Sequence, residues 1–389
     1  MSAHKKSYLM TPGPTPVPER ALLAQARTMI HHRGPEYGEM ISRVVEDLKY
    51  VFQTKNDVFI LTSSGTGAME SAIVNTFCRG DKVVVASTGN FGDRWANIAS
   101  AYGLEVVKIE FEWGQKADPN RVAEVLAEHP DARGLLVTHS ETSTGVVNDI
   151  KALAELTRDR DNTIIVVDAV SGLGACELRT DDWGLDVVVA GSQKGLMAPP
   201  GLGFATVSEK AWAFVERSDL PKFYWDYKKY RKSAQSVPPQ SPFTPAISTM
   251  LALSEALRMI REETLERIWE RHVILGRATR EGLKKMGIRL FSPDDDSSAA
   301  VTAAYAPDGI NSRDIVRIMR EEHGVTIAGG QGKVKGIIFR IGHCGYFTRL
   351  DIIATLAALE STLLELGVSI DIGESVEKAQ KVFEKAGFR

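Results

Sequence analysis

The chain is short of cysteine, of charge imbalance and of long apolar runs, and each shortage closes off a class of protein. Only three cysteines, Cys78, Cys176 and Cys344, stand in 389 residues. They are odd in number and far apart, so they make neither a disulfide framework nor a zinc-ligand spacing, and a reducing compartment is expected. Lys plus Arg (47) nearly balance Asp plus Glu (50), for a net charge of -3. Nucleic acid is therefore not an expected partner. No stretch reaches the ~18 apolar residues of a membrane span, so no membrane association is expected. The start, Met1-Ser2-Ala3-His4-Lys5-Lys6, leads into no apolar core. A secretory leader is not expected, and the cytoplasm is the expected location. There is no internal repeat, no low-complexity segment, no Walker A loop and no GxGxxG. No metal site is expected.

What is present is ordinary globular material, 43% hydrophobic and 25% charged, enough to build a large core over two or three domains. Prolines 12, 14, 16 and 18 force an extended path at the N-terminus. A helix is expected from Glu19, and another over Tyr37–Phe52, where Ile41, Val44, Val45, Leu48 and Phe52 share one face. Then apolar runs at Val58–Leu61, Lys82–Ala86, Glu105–Ile109, Gly134–Thr138, Thr163–Val167, Asp186–Ala190 and Gly203–Val207 alternate with helical stretches. That pattern predicts an α/β fold whose large domain has a mostly parallel seven-stranded sheet flanked by helices. After Ser248 the texture changes to a long helical region over Ile247–Met286, then strands at Ala299–Tyr305 and Gly336–Ile341 and helices at Ser312–His323 and Arg349–Leu366. The expected division is an extended N-terminal segment (1–18), a large domain (19–247), a smaller C-terminal α+β domain (248–370) and a helical tail (371–389). The N-terminal segment is expected to pack with the small domain.

Ligands in such sheets sit at the carboxyl ends of the strands, and two charged residues stand there. Lys194 follows the run Val187-Val188-Val189 among small residues. Asp168 ends the run Ile164-Ile165-Val166-Val167. A lone lysine in a loop is ordinarily a surface lysine. A lysine and an aspartate at neighbouring strand ends are the two groups pyridoxal phosphate chemistry needs: an amine for a Schiff base and a carboxylate for the pyridine nitrogen. Ser63-Ser64-Gly65-Thr66-Gly67-Ala68 makes a small-residue turn into a helix, suited either to an anion or to plain capping. Phe91 can stack on a flat ring or simply pack. The loop His139-Ser140-Glu141-Thr142-Ser143-Thr144-Gly145 is rich in hydroxyls and is either a phenol-oxygen contact or a solvated turn. Arg340, inside a strand pattern, either pairs with an internal carboxylate or grips a ligand carboxylate. Arg33 stands equally as a second anion site or a surface residue. His343 and Cys344 face opposite sides of a strand and are not a catalytic pair.

Taken in order, these pieces resemble the fold-type I pyridoxal phosphate enzymes. Within them the class V aminotransferases are most similar, in particular the alanine–glyoxylate and serine–pyruvate group. The matching stretches are Pro12-Gly13-Pro14, Ser64-Gly65-Thr66-Gly67, Glu141-Thr142-Ser143-Thr144-Gly145, Val167-Asp168, Gly191-Ser192-Gln193-Lys194, Ala198-Pro199-Pro200-Gly201 and Arg340-Ile341-Gly342. The resemblance implies that Lys194 is the Schiff-base lysine and proton shuttle and that Asp168 pairs with the ring nitrogen. It implies that Phe91 and Val170 cover the two ring faces and that Thr142 contacts the ring hydroxyl. Thr66, Gly67, Ala68 and Gln193 would hold the phosphate, joined by Thr244 from the neighbouring subunit of a homodimer. Relatives often carry Tyr three residues before that threonine, where this chain has Ser241. Gly13 would line the substrate pocket and Arg340 would bind the α-carboxylate.

The implied activity is ping-pong transamination between alanine or serine and glyoxylate or pyruvate. The alternatives are an aspartate or other donor, or a lyase of the cysteine desulfurase kind. The second needs a cysteine shortly before the Arg340 strand, and Val325–Lys335 has none. A non-enzymatic subunit on the same fold is expected to have lost one of Lys194, Asp168 and Arg340.

Overall fold

The computed structural model describes residues 6–388. The first five positions of the expected N-terminal segment and the last residue of the tail lie outside the described residues.

The strands Asp57–Thr62, Lys82–Ser87, Glu105–Glu110, Gly134–Thr138, Ile164–Asp168, Val187–Gly191 and Leu202–Val207 form one seven-stranded sheet. Its order is Asp57–Thr62, Leu202–Val207, Val187–Gly191, Ile164–Asp168, Gly134–Thr138, Lys82–Ser87, Glu105–Glu110. Leu202–Val207 runs antiparallel to both of its neighbours, and the other pairings are parallel. Ile164–Asp168 and Val187–Gly191 are buried along their whole length, as strands covered by helices on both faces must be. One core, containing Val137, Val167, Val188 and Phe204, lies on one face. Val85, Val166, Val189 and Ala205 build the other.

Six parallel strands therefore end along one edge of the sheet, and the turns that follow them carry the chemistry. Helix Gly65–Thr76 starts there, its Ser64 side chain accepting from Gly67 N. So does helix Asn90–Ala101.

The second unit is built on a three-stranded antiparallel sheet, Val301–Tyr305, Ile338–Gly342 and Ala328–Gly329, with Ile338–Gly342 central. Tyr8–Leu9 pairs in parallel with Val325–Thr326, so the N-terminal segment does join this unit. Gly342 N donates to Met10 O at 2.8 Å. A Cβ on Gly342 would stand 2.2 Å from Thr11 O, so only glycine admits that crossing.

The long helical region is two helices, Ile247–Glu263 and Leu265–Lys285. They part at Thr264, which adopts φ 73°, and Leu265 N is taken by the Tyr50 hydroxyl at 2.9 Å. The first packs on the large-sheet core through Met250, Leu253 and Leu257. The second carries Leu275 and Leu283 into the core of the small unit. Helices Glu209–Arg217 and Tyr227–Ala234, opened by Ser208 and Asp226 caps, fall between the elements expected from apolar spacing.

Candidate active site

Lys194 is 8% exposed and Asp168 is 3% exposed. Asp168 is the last residue of its strand. Lys194 follows its strand by a short turn in which Ser192 N donates to Leu202 O at 3.0 Å and Met197 N to Lys194 O at 3.0 Å. The lysine Nζ donates to Pro12 O at 2.6 Å, which brings the N-terminal segment across the strand ends. Thr15 fixes the crossing: its N–H reaches Gln193 O at 3.1 Å and its hydroxyl reaches Lys194 O at 3.1 Å. Gly13 has φ 137°, and a Cβ there would lie 2.3 Å from Lys194 Cε. The proline-rich start thus lays a glycine directly against the lysine side chain.

Burial moves both groups toward neutrality. The Lys194 amine is held below the usual lysine range, first by burial, with Cys344, Arg340, Asp168 and Arg94 as lesser influences. Asp168 is pushed up to about 6 by burial, opposed by a hydrogen bond from Val170 N at 2.8 Å. Neither charge has found its full partner inside the protein.

Lys194, Asp168, Gly13, Thr66 and Phe91 line one cavity of about 230 Å3, together with Thr142, Val170 and Gln193. Val170 closes against Gly65, whose Cβ would meet Val170 Cγ2 at 2.6 Å. Thr142 Oγ1 shares a 2.5 Å hydrogen bond with Ser171 Oγ. Gln193 Oε1 is buried without a hydrogen-bond partner among the described residues.

Four of the residues to which the resemblance gives a role stand outside the lining. Gly67 N is held by Ser64 Oγ at 3.4 Å. Ala68 is fully buried and its N–H goes to Ser64 O at 3.1 Å. Thr244 is exposed and does not line this chain's own cavity. Arg340 approaches from the small unit: Nε and Nη2 donate to Gly329 O at 3.0 and 2.8 Å, and Nη1 donates to Thr142 O at 2.9 Å. It is 4% exposed, and burial lowers it to about 10. No carboxylate pairs with it among the described residues. The buried Glu141 carboxylate acts on Arg340 through space without a direct ion pair.

Arg33 is also outside the cavity. Its Nη1 donates to Gln240 Oε1 at 2.8 Å and to Ser241 O at 2.7 Å, so it props the loop that leads to Thr244. The Tyr37 hydroxyl hydrogen-bonds the Ser241 hydroxyl in the same place.

Two residues of the site escaped sequence reasoning. Glu141 is fully buried and accepts from Phe91 N and Gly92 N, each at 3.0 Å, and from Ser143 Oγ at 2.5 Å. Burial pushes it up to about 7. It holds the first turn of the helix that carries Phe91. Arg94 lines the cavity one turn after Phe91. The helical spacing from Phe91 to Arg94 was a usable signal. A carboxylate in a hydroxyl-rich loop looks like any solvated turn until burial is known.

A family model described as "Aminotransferase class-V" matches residues 8–353. The chain belongs to that family. Two relatives span almost all of this class V aminotransferase. The soluble hydrogenase small subunit of Synechococcus sp. is 44% identical over 98% of this chain and 99% of its own. The serine–glyoxylate aminotransferase of Methylorubrum extorquens is 35% identical over 96% and 95%. The crystal structure of ureidoglycine–glyoxylate aminotransferase from Bacillus subtilis superposes with a TM-score of 0.93 at 29% identity, covering 98% of this chain and 99% of that one.

The cofactor of this aminotransferase is pyridoxal 5'-phosphate, and the described residues fit it. A buried amine with a lowered pKa, a buried carboxyl with a raised one, a helix N-terminus and an unsatisfied amide converge on one cavity. When bound, the cofactor supplies an aldehyde carbon for amines and a cationic ring that draws electrons from the substrate Cα.

Proposed function

We propose that this aminotransferase moves the amino group of a small amino acid, alanine or serine, to glyoxylate or pyruvate by a ping-pong mechanism. The observation that carries the reading is Arg340, a buried guanidinium bonded only to carbonyl oxygens. Glu141 acts on it only through space; a substrate α-carboxylate would pair with it directly, gripped through two parallel hydrogen bonds. Arg340 would then orient the amino acid with its Cα toward Lys194. The Lys194 amine, whose proton affinity burial lowers, would take the Cα proton and return it on the far side of the reaction. Asp168, once facing a cationic ring nitrogen, stays ionised and holds that proton in place. Phe91 and Val170 would hold the ring between them, Thr142 would meet its hydroxyl, and Gln193 and the Thr66–Ala68 turn would face the phosphate end. The glyoxylate names of the Methylorubrum and Bacillus relatives support the acceptor; the hydrogenase name stays with the Synechococcus relative.

The proposal includes a homodimer. Thr244 is exposed, and its neighbour Phe243 stacks on Tyr224 at 5.0 Å and lies 5.7 Å from Phe223, which is 72% exposed. The exposed Phe223 ring, packed with the half-buried Tyr224 and Phe243 beside that threonine, is surface that a subunit contact would cover. The proposal also keeps the division into 1–18, 19–247, 248–370 and 371–389, and a cytoplasmic location, supported by three free thiols. No described helix is long and apolar enough to cross a membrane.

A desulfurase-like reading finds no support, because Cys344 is fully buried and burial pushes its thiol up to about 11. The test is rapid-mixing spectroscopy of the holoenzyme with L-alanine, L-serine and L-aspartate separately. Alanine or serine should bleach the visible band of the lysine-bound cofactor, and glyoxylate should restore it. Bleaching by aspartate alone would overturn the small-donor assignment.

A further inference from the structure

The cavity holds three charged side chains, Lys194, Asp168 and Arg94. The proposed mechanism employs the first two and leaves Arg94 without a task. Its guanidinium carbon lies 4.6 Å from the centre of the Phe91 ring. Its Nη1 donates to Thr66 Oγ1 at 2.9 Å. Thr66 is in the first turn of helix Gly65–Thr76, at the positive end of the helix dipole. No carboxylate pairs with Arg94 among the described residues. Its helix neighbour Asp93 is engaged by Lys108 at 2.5 Å and by Ser87 Oγ at 2.9 Å, and Glu141 is taken by backbone N–H groups. Asp168 acts on Arg94 only through space across the cavity, so a cation stands at the positive end of a helix with no directly paired anion, which is unfavourable on its own. An anion shared by both removes that cost.

We infer that Arg94 binds the phosphate group of the cofactor, together with Thr66 and the N-terminus of helix Gly65–Thr76. The inference rests on the roles proposed for Lys194 and Asp168, and it closes a charge deficit in them. Thr66, Gly67, Ala68 and Gln193 are all neutral, whereas a phosphate monoester carries nearly two negative charges at neutral pH. With Arg94 assigned, each charged side chain of the cavity faces one reactive or charged part of the cofactor: aldehyde, ring nitrogen, phosphate. The guanidinium also stacks on Phe91, so a role confined to steadying that ring has to be separated from phosphate binding.

The experiment is equilibrium titration of cofactor-stripped protein, read by tryptophan fluorescence, with pyridoxal phosphate and with pyridoxal, which has the same ring and aldehyde but no phosphate. R94Q should weaken pyridoxal phosphate by about 10- to 100-fold, the worth of a charge-assisted hydrogen bond, and leave pyridoxal within about twofold. R94K keeps the charge and should recover part of the loss. Inorganic phosphate should compete with pyridoxal phosphate better on the wild type than on R94Q. Equal weakening of both ligands by R94Q would overturn the inference and make Arg94 a support for Phe91. Unchanged binding of both would overturn it in favour of a substrate-side role. A wild type that binds neither ligand would overturn the roles given to Lys194 and Asp168 themselves.

Discussion

Lys194 and Asp168 are shifted by the same cause in opposite directions: burial lowers the amine and raises the carboxyl. That gives the carboxyl a measurable signature. Its protonated form grows as the pH falls through about 6, and a protonated carboxyl cannot pair with a cationic ring. Cofactor affinity of the wild type should therefore drop below about pH 6 and level off above it. D168N should flatten that profile and lower kcat by at least about 100-fold. Titrations at a series of pH values check it, and a flat wild-type profile would remove Asp168 from the ring nitrogen. For Arg340, replacement by lysine keeps the charge but loses the paired geometry. R340K should raise KM for the amino acid by about 10- to 100-fold and change kcat far less. Steady-state kinetics separate the two. A fall in kcat alone would place Arg340 away from the substrate carboxylate.

At the scale of elements, two neighbouring residues tie the small unit together. Gly342 admits the crossing of Thr11. G342A should push the N-terminal strand away and cost about 2 kcal/mol or more, visible as a lower denaturant midpoint. His343 follows it, fully buried, its Nδ1 against Ala299 O at 2.8 Å and its Nε2 against the Thr302 hydroxyl at 2.9 Å. Nδ1 must donate to the carbonyl, so Nε2 accepts, and the ring is neutral. Burial lowers its pKa to about 3, below the ~6.5 of an unfolded histidine. Between those values the unfolded chain binds the extra proton. The contribution of His343 is thus complete above pH ~6.5 and is lost as the pH falls toward about 3. Glu141, raised to about 7, acts in the opposite sense, so the comparison must be with a variant. H343Q has a donor and an acceptor that do not titrate. The wild type should lose stability relative to H343Q on acidification from pH ~7 to ~5, as urea midpoints at the two values will read. Parallel pH dependences would show that the ring is not held neutral.

For the whole molecule, Thr244 stands outside its own cavity in an exposed aromatic setting, so cofactor retention should depend on assembly. Sedimentation should give a species of twice 42.6 kDa, and dilution to monomer should release cofactor. A monomer that holds cofactor as tightly as the larger species would overturn the shared site.

The alternation of apolar runs and helical stretches was enough for the large sheet, because strands buried on both faces must be apolar throughout, as Ile164–Asp168 and Val187–Gly191 are. Lys194 and Asp168 were legible because a charge at the end of such a run is placed by the run itself. Thr264 was not: nothing local announces a left-handed threonine inside a helical pattern, and the Tyr50 hydroxyl that holds the break comes from another helix. Glu141 and Arg94 were hidden for a related reason. Sequence gives a residue's type and its place along an element, whereas their meaning depends on what lies within a few ångströms across the fold. The chain by itself determined a mostly parallel seven-stranded sheet, the succession of strands and helices along the sequence, and the lysine and aspartate at the strand ends. Only the tertiary structure decided that the proline-rich start crosses the lysine, that Arg340 is hydrogen-bonded to carbonyls and not to a carboxylate, and that Arg94 meets a helix N-terminus, because burial and the pairing of charges are properties of the packed molecule.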